Sequence, residues 1–153
     1  MRAFSYLLTA LAALALGVTA QARTTSLDQW QFSRDGASWE TVTVPHSTNA
    51  EDGRSAAYYR GQTHYRRTFR ANPARPAFLQ FEGAAQAASV YVNGTLARTH
   101  KGGYTPFIVP LTDMLQRGEN LVEVVCDNSV DLEMIPISSD FNRTTVCTTR
   151  CRC

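Results

Sequence analysis

The chain has 153 residues, of which 44% are hydrophobic and 18% charged, and it carries a formal net charge of +2. That length fits one globular domain and the composition is ordinary for one. So small a net charge gives no basis for recognising nucleic acid or an anionic membrane surface.

Residues 1–22 are a different kind of sequence. Arg2 supplies a positive start, Leu7 to Val18 is an apolar run broken by Thr9 and Gly17, and Val18-Thr19-Ala20 and Ala20-Gln21-Ala22 offer small residues for cleavage. This pattern predicts a secretory signal peptide. The apolar run falls short of the roughly 20 residues that a spanning helix needs. The expected location is therefore secreted or periplasmic, with no membrane association after the signal is removed.

The rest of the chain lacks a long helical period. β-rich runs occur at Trp39–Val44, Thr63–Phe69, Ala77–Glu82, Ser89–Val92, Phe107–Val109 and Leu121–Cys126. They are separated by turn formers at Asp35-Gly36, Asn72-Pro73, Asn93-Gly94 and Arg117-Gly118. Short, regularly punctuated strands predict an all-β sandwich or barrel. Alternation puts Ala77, Leu79 and Phe81 on one face and Tyr65 and Phe69 on another, and predicts Leu79, Phe81, Val90, Val92, Val122 and Val124 inside. Asn93-Gly94 predicts a tight type I′ hairpin, since both residues tolerate positive φ. Leu111 to Gly118 reads as one short helical turn, with Thr112 capping its start and Gly118 ending it. Trp30 and Trp39 read as core or domain-contact residues, because no spacing pairs them on one exposed face. Tyr58, Tyr59 and Tyr104 are the aromatics expected in exposed loops.

Seven motifs stand in order: Phe-Leu-Gln-Phe-Glu-Gly (78–83), Val-Tyr-Val-Asn-Gly (90–94), His-Lys-Gly-Gly-Tyr-Thr-Pro-Phe (100–107), Leu-Thr-Asp (111–113), Gly-Glu-Asn-Leu-Val-Glu-Val (118–124), Asp-Asn-Ser (127–129) and Ser-Ser-Asp-Phe-Asn-Arg (138–143). Upstream lie Val44-Pro45-His46 and Tyr65-Arg66-Arg67-Thr68-Phe69. Together they resemble the N-terminal sugar-binding domain of family 2 glycoside hydrolases, nearest the bacterial β-galactosidase branch. The resemblance implies a jelly-roll β-sandwich of the galactose-binding-domain type over residues 23–143. It also implies a carbohydrate partner, a β-galactoside or related glycoside, and packing on the enzyme's own (β/α)8 barrel.

A retaining glycosidase needs two carboxyl groups about 5–5.5 Å apart, and in this family both are glutamates of that barrel. Glu51, Asp52, Glu82, Glu119, Glu123, Asp131 and Glu133 stand in no such motif here, so no catalytic residue is assigned and the chain is expected to be silent alone. The resemblance singles out Asp140 as the substrate-binding residue: the aspartate of Asp-Phe-Asn-Arg reaches toward the barrel's site and accepts hydrogen bonds from sugar hydroxyls. An ionised carboxylate suits that role because it offers two acceptor oxygens. Arg143 reads as a structural hydrogen-bonding partner. No cofactor or metal is expected, since His46, His64 and His100 have no ligand spacing. A stand-alone periplasmic carbohydrate-binding module is the alternative reading.

Residues 144–153, Thr-Thr-Val-Cys-Thr-Thr-Arg-Cys-Arg-Cys, depart from the family. Relatives continue with Tyr-Gly-Gly, an apolar residue and Tyr-Arg, and codons for Thr-Thr-Val-Cys-Thr read two nucleotides on can spell Tyr-Gly-Leu-Tyr. A frameshifted fragment is the expectation, with the closing strand lost and an unpaired edge left behind. Cys147, Cys151 and Cys153 then carry no selected metal site, and Cys126 reads as a small buried hydrophobe.

Overall fold

The computed structural model describes residues 23–49, 59–84 and 86–129, and the backbone of residues 146–152. In chain order the strands are β1 (Thr24–Ser26), β2 (Gln29–Ser33), β3 (Glu40–Thr43), β4 (His46–Ser47), β5 (Gln62–Arg70), β6 (Phe78–Ala84), β7 (Ala87–Val92), β8 (Thr95–Lys101), β9 (Phe107–Pro110), β10 (Glu119–Asp127) and β11 (Val146–Arg152). The described residues contain no helix. Two sheets form: a six-stranded one in the order β3-β2-β5-β10-β7-β8, and a five-stranded one in the order β1-β11-β6-β9 with β4 also on β11. All pairings are antiparallel. The chain is an all-β sandwich.

Strand alternation decides which residues fill the space between the sheets. Val122, Val124 and Cys126 of β10 are buried, and so are Tyr65 and Phe69 of β5, Val90 and Val92 of β7, and Trp30 and Phe32 of β2. Leu79 and Phe81 of β6 and Phe107 and Val109 of β9 meet them from the other sheet. All six residues predicted inside have no exposed surface. Trp30 is core, with its indole Nε1 donating to Leu27 O at 2.7 Å. Trp39 instead lies partly exposed beyond the end of β2, its ring under the Arg66 guanidinium at 3.7 Å.

The Asn93-Gly94 turn has φ of 50° and 80° and joins β7 to β8 with Val92 opposite Thr95, the two-residue hairpin the sequence predicts. The Gly102–Pro106 loop that follows is fixed by aromatic stacking. His100 lies 4.2 Å from Phe107, which in turn stacks on Phe81 at 4.8 Å. The Gly103 carbonyl comes so close to Gly83 that a Cβ there would stand 2.9 Å from it.

Two expectations are corrected. Leu111–Gly118 is a hydrogen-bonded turn, with Met114 N donating to Leu111 O at 2.8 Å, and not a helical turn capped by Thr112. Asparagine side chains take the backbone groups that a helix would use. Asn93 Nδ2 holds Met114 O at 2.9 Å, while Asn120 takes Gln116 N at 2.8 Å and Gln116 O at 3.1 Å. The second correction concerns the tail. Far from leaving an open edge, Val146–Arg152 forms β11 inside the five-stranded sheet, with β6 on one side and β1 and β4 on the other. Ladder bonds are made by N–H and C=O groups that every non-proline residue carries. Residues 146–152 contain neither proline nor glycine, so the divergent sequence still pairs.

Candidate functional site

At one end of the sandwich the turn between β2 and β3 faces β4 across a cleft of about 870 Å³. Arg34, Asp35, Ser38 and Trp39 line one wall, and His46, Ser47 and Thr48 the other, with Phe32 and Glu40 beside them. The β2–β3 turn is built around Asp35. Its Oδ1 accepts from Ser33 Oγ at 2.9 Å, Ala37 N at 2.9 Å and Ser38 N at 2.8 Å. The backbone N–H of Ser38, that of Ala37 and the Ser33 hydroxyl hold the Asp35 carboxyl far below the usual carboxylate range. Gly36 follows with φ of 74°.

The opposite wall follows the cis Val44–Pro45 bond. His46 Nδ1 lies 3.0 Å from the buried Tyr65 hydroxyl, and its ring is 4.7 Å from that of Phe32. Burial pushes His46 below the ordinary imidazole value, with Glu40 opposing and Arg34 adding to the shift. The neutral ring is therefore the form the fold holds. Arg34 ties the walls together, its Nη2 donating to Thr48 O at 2.6 Å and its guanidinium lying 5.4 Å from the Tyr59 ring.

Behind the cleft a clamp of amides joins three distant parts of the chain at Tyr59. The Tyr59 carbonyl accepts from Asn49 Nδ2 at 3.1 Å and Asn128 Nδ2 at 2.9 Å. Tyr59 N donates to Asn49 Oδ1 at 3.0 Å, and Gly61 N to Asn128 Oδ1 at 2.7 Å. Both asparagines are buried, where an unpaired amide would be costly, and their mutual use of one carbonyl satisfies them.

Asp140 and Arg143 lie outside the described residues. What the fold fixes is the backbone on either side of them. Asn128, twelve residues before Asp140, is bonded to Tyr59, and Val146, three residues after Arg143, is paired with Ser47 of the cleft wall. Glu51, Asp52, Tyr58, Asp131 and Glu133 also fall outside the described residues. Glu82, Glu119 and Glu123 lie on β6 and β10, away from the cleft lining, and His64 and His100 lie on β5 and β8. Tyr104 is 65% exposed in the β8–β9 loop. Sequence reasoning missed Asp35, Trp39 and Thr48 as neighbours. The Asp-Gly pair was a visible turn signal, but nothing local tells that this turn faces β4.

A two-sheet antiparallel sandwich with a polar, aromatic-walled cleft at one end is a common plan among domains that handle small ligands. Comparison with known proteins narrows it: residues 19–143 match the model for the sugar-binding domain of glycosyl hydrolases family 2, and the chain belongs to that family. It is 35% identical over 107 residues to a β-glucuronidase of Bacteroides fragilis, an alignment that covers 66% of this chain and 15% of that protein. To a β-galactosidase of Thermoanaerobacter pseudethanolicus it is 33% identical over 119 residues, covering 71% of this chain and 16% of the relative. The structure of a Bacteroides uniformis β-glucuronidase superposes with a TM-score of 0.75 at 26% identity, over 86% of this chain and 18% of the other. The alignments thus take in less than a fifth of each of these relatives' length.

Proposed function

We propose that the chain is the jelly-roll sugar-binding domain of an exported, β-galactosidase-like glycoside hydrolase. It packs against a catalytic (β/α)8 barrel and walls one side of that barrel's sugar site. In this reading the barrel supplies the acid/base and nucleophilic glutamates of a retaining mechanism, and Asp140 supplies acceptor oxygens that orient the sugar hydroxyls. Orientation of this kind acts on rate by holding the glycosidic bond in line with the two carboxyl groups. The observation that carries the reading is the match of residues 19–143 to the family 2 sugar-binding domain, and the backbone is held on both sides of residues 130–145, by the bond of Asn128 to Tyr59 and the pairing of Val146 with Ser47 of the cleft wall.

The test is complementation. The full chain is mixed with the B. fragilis relative from which the matching N-terminal region has been deleted, and hydrolysis of nitrophenyl β-galactoside and β-glucuronide is followed. Restored turnover, reduced about a hundredfold by Asp140→Asn, is the expected result. Equal rescue by both proteins would remove Asp140 from the site, and no rescue by either would sink the docking reading. Export is tested separately, by intact mass of protein recovered from the periplasm: cleavage after Ala20 or Ala22 is expected.

A further inference from the structure

We propose that the cleft between the β2–β3 turn and β4 is a binding site in its own right for a neutral pyranoside, formed by Trp39, Asp35 and Thr48. The inference rests on the sugar-binding reading of the domain but not on Asp140 or on the barrel.

Thr48 lines the cleft and is only 5% exposed, and its Oγ1, itself shielded from solvent, has no hydrogen-bond partner among the described residues. Neighbouring hydroxyls are used: Ser33 Oγ bonds Asp35 at 2.9 Å, and Ser47 Oγ accepts from Asn49 N at 3.3 Å. A buried hydroxyl without a partner is destabilising and uncommon in folded proteins, and a ligand hydroxyl would supply what it lacks. One staggered step in χ1 turns Oγ1 without moving the backbone, which Arg34 holds through the Thr48 carbonyl.

Asp35 offers the complementary group. Ser33 Oγ, Ala37 N and Ser38 N all bond Oδ1, and the Ser38 side chain also bonds the carboxyl; an ionised carboxylate offers acceptor sites on two oxygens and can take a ligand hydroxyl as well, and the turn that holds the carboxyl also keeps it ionised. Trp39 supplies the apolar wall. Its indole is steadied by the Arg66 guanidinium at 3.7 Å, and Arg66 is itself held by Gln31 Oε1 at 2.8 Å. An aromatic surface beside a carboxylate and a hydroxyl matches a pyranose, which has C–H faces and a rim of hydroxyls. The volume, about 870 Å³, lies within the range of small-molecule sites. Charge selects among sugars. Asp35 and Glu40 line the cleft with Arg34, and Arg66 lies on the Trp39 ring outside the lining; placed against the Asp35 carboxylate, a uronate or a phosphorylated sugar meets close-range repulsion that a neutral glycoside does not.

The experiment titrates the 15N-labelled full chain with methyl β-D-galactopyranoside and, separately, with methyl β-D-glucuronide. The readouts are the Trp39 indole N–H and the Ala37 and Ser38 amides. Saturable shifts at these groups are expected with a Kd on the order of 1 mM for the galactoside, and binding about tenfold weaker for the glucuronide. Trp39→Ala and Asp35→Asn should each weaken the galactoside about tenfold. Thr48→Val, which keeps the side chain's shape, should weaken it several-fold with an unchanged spectrum elsewhere, and Asp140→Asn should leave it unaltered. Absence of saturation by either sugar overturns the proposal, as does an equal or tighter fit to the glucuronide. Shifts that survive Trp39→Ala but vanish in Asp140→Asn overturn it too, while leaving the domain's role beside a barrel intact.

Discussion

The amide clamp at Tyr59 makes a prediction that depends on who shares which atom. Asn128→Ala removes the bond to the Tyr59 carbonyl and strands the Gly61 N–H that Asn128 Oδ1 accepted at 2.7 Å. Asn49 Nδ2 still satisfies the carbonyl. A lost hydrogen bond together with one partly buried unpaired donor costs about 2 kcal/mol. Asn49→Ala strands Tyr59 N in the same way, and Asn128 then keeps the carbonyl paired, at a similar cost of about 2 kcal/mol. In the double variant the carbonyl loses both donors. Its desolvation adds roughly 1 kcal/mol that neither single variant shows, so the loss should exceed the sum of the singles. Urea unfolding of the four full-length proteins, with m held common, measures each corner of the cycle. Additivity within about 0.3 kcal/mol would refute the shared-acceptor reasoning, and so would a single-variant cost near zero.

Other consequences follow from the same structure. His46 has its pKa lowered by burial from 6.5. The unfolded chain therefore binds the proton first, and His46's share of stability is full above pH 6.5 and falls as pH drops below that value. His46→Gln should flatten the urea midpoint against pH between about 7 and 5, and an unchanged slope would contradict the burial argument. Asp35, also lowered, acts in a separate window: its stabilisation is present above 3.8 and is lost as pH falls below that value, a step that Asp35→Asn should abolish. Gly94→Ala and Gly83→Ala should both destabilise, for different reasons. At Gly94 the φ of 80° alone matters, since no atom lies within 4 Å, so about 1 kcal/mol is lost and Gly94→Asn recovers most of it. At Gly83 the added Cβ meets the Gly103 carbonyl at 2.9 Å, an overpacking of about 1–3 kcal/mol that no side chain relieves. Phe81→Ala, at a residue with no exposed surface stacked on Phe107, should cost about 3–5 kcal/mol by thermal or urea unfolding.

The inner face of the sandwich was legible along the chain, since a strand turns successive side chains to opposite sides whatever lies across from it. Leu79, Phe81, Val90, Val92, Val122 and Val124 were readable for that reason, and the Asn93-Gly94 hairpin because positive φ is a local property of those two residues. The order of motifs likewise carried the family. Features settled by partners far along the chain emerge when the strands are paired. β8, with its exposed Thr-Leu-Ala-Arg-Thr-His-Lys run, is an edge strand whose side chains show no clear alternation. β11 is held by backbone pairing that its side-chain pattern does not announce. Asn93 and Asn120 turned a predicted helical turn into a loop by taking its amides and carbonyls. The two tryptophans, alike in sequence, were separated by context: Trp30 alternates into the core, while Trp39 follows a turn that carries it to the cleft. The cleft joins residues 32–40 to residues 45–48, and the clamp behind it joins Asn49, Tyr59 and Asn128. No periodicity links such positions; sheet pairing and the loops that close it bring them together.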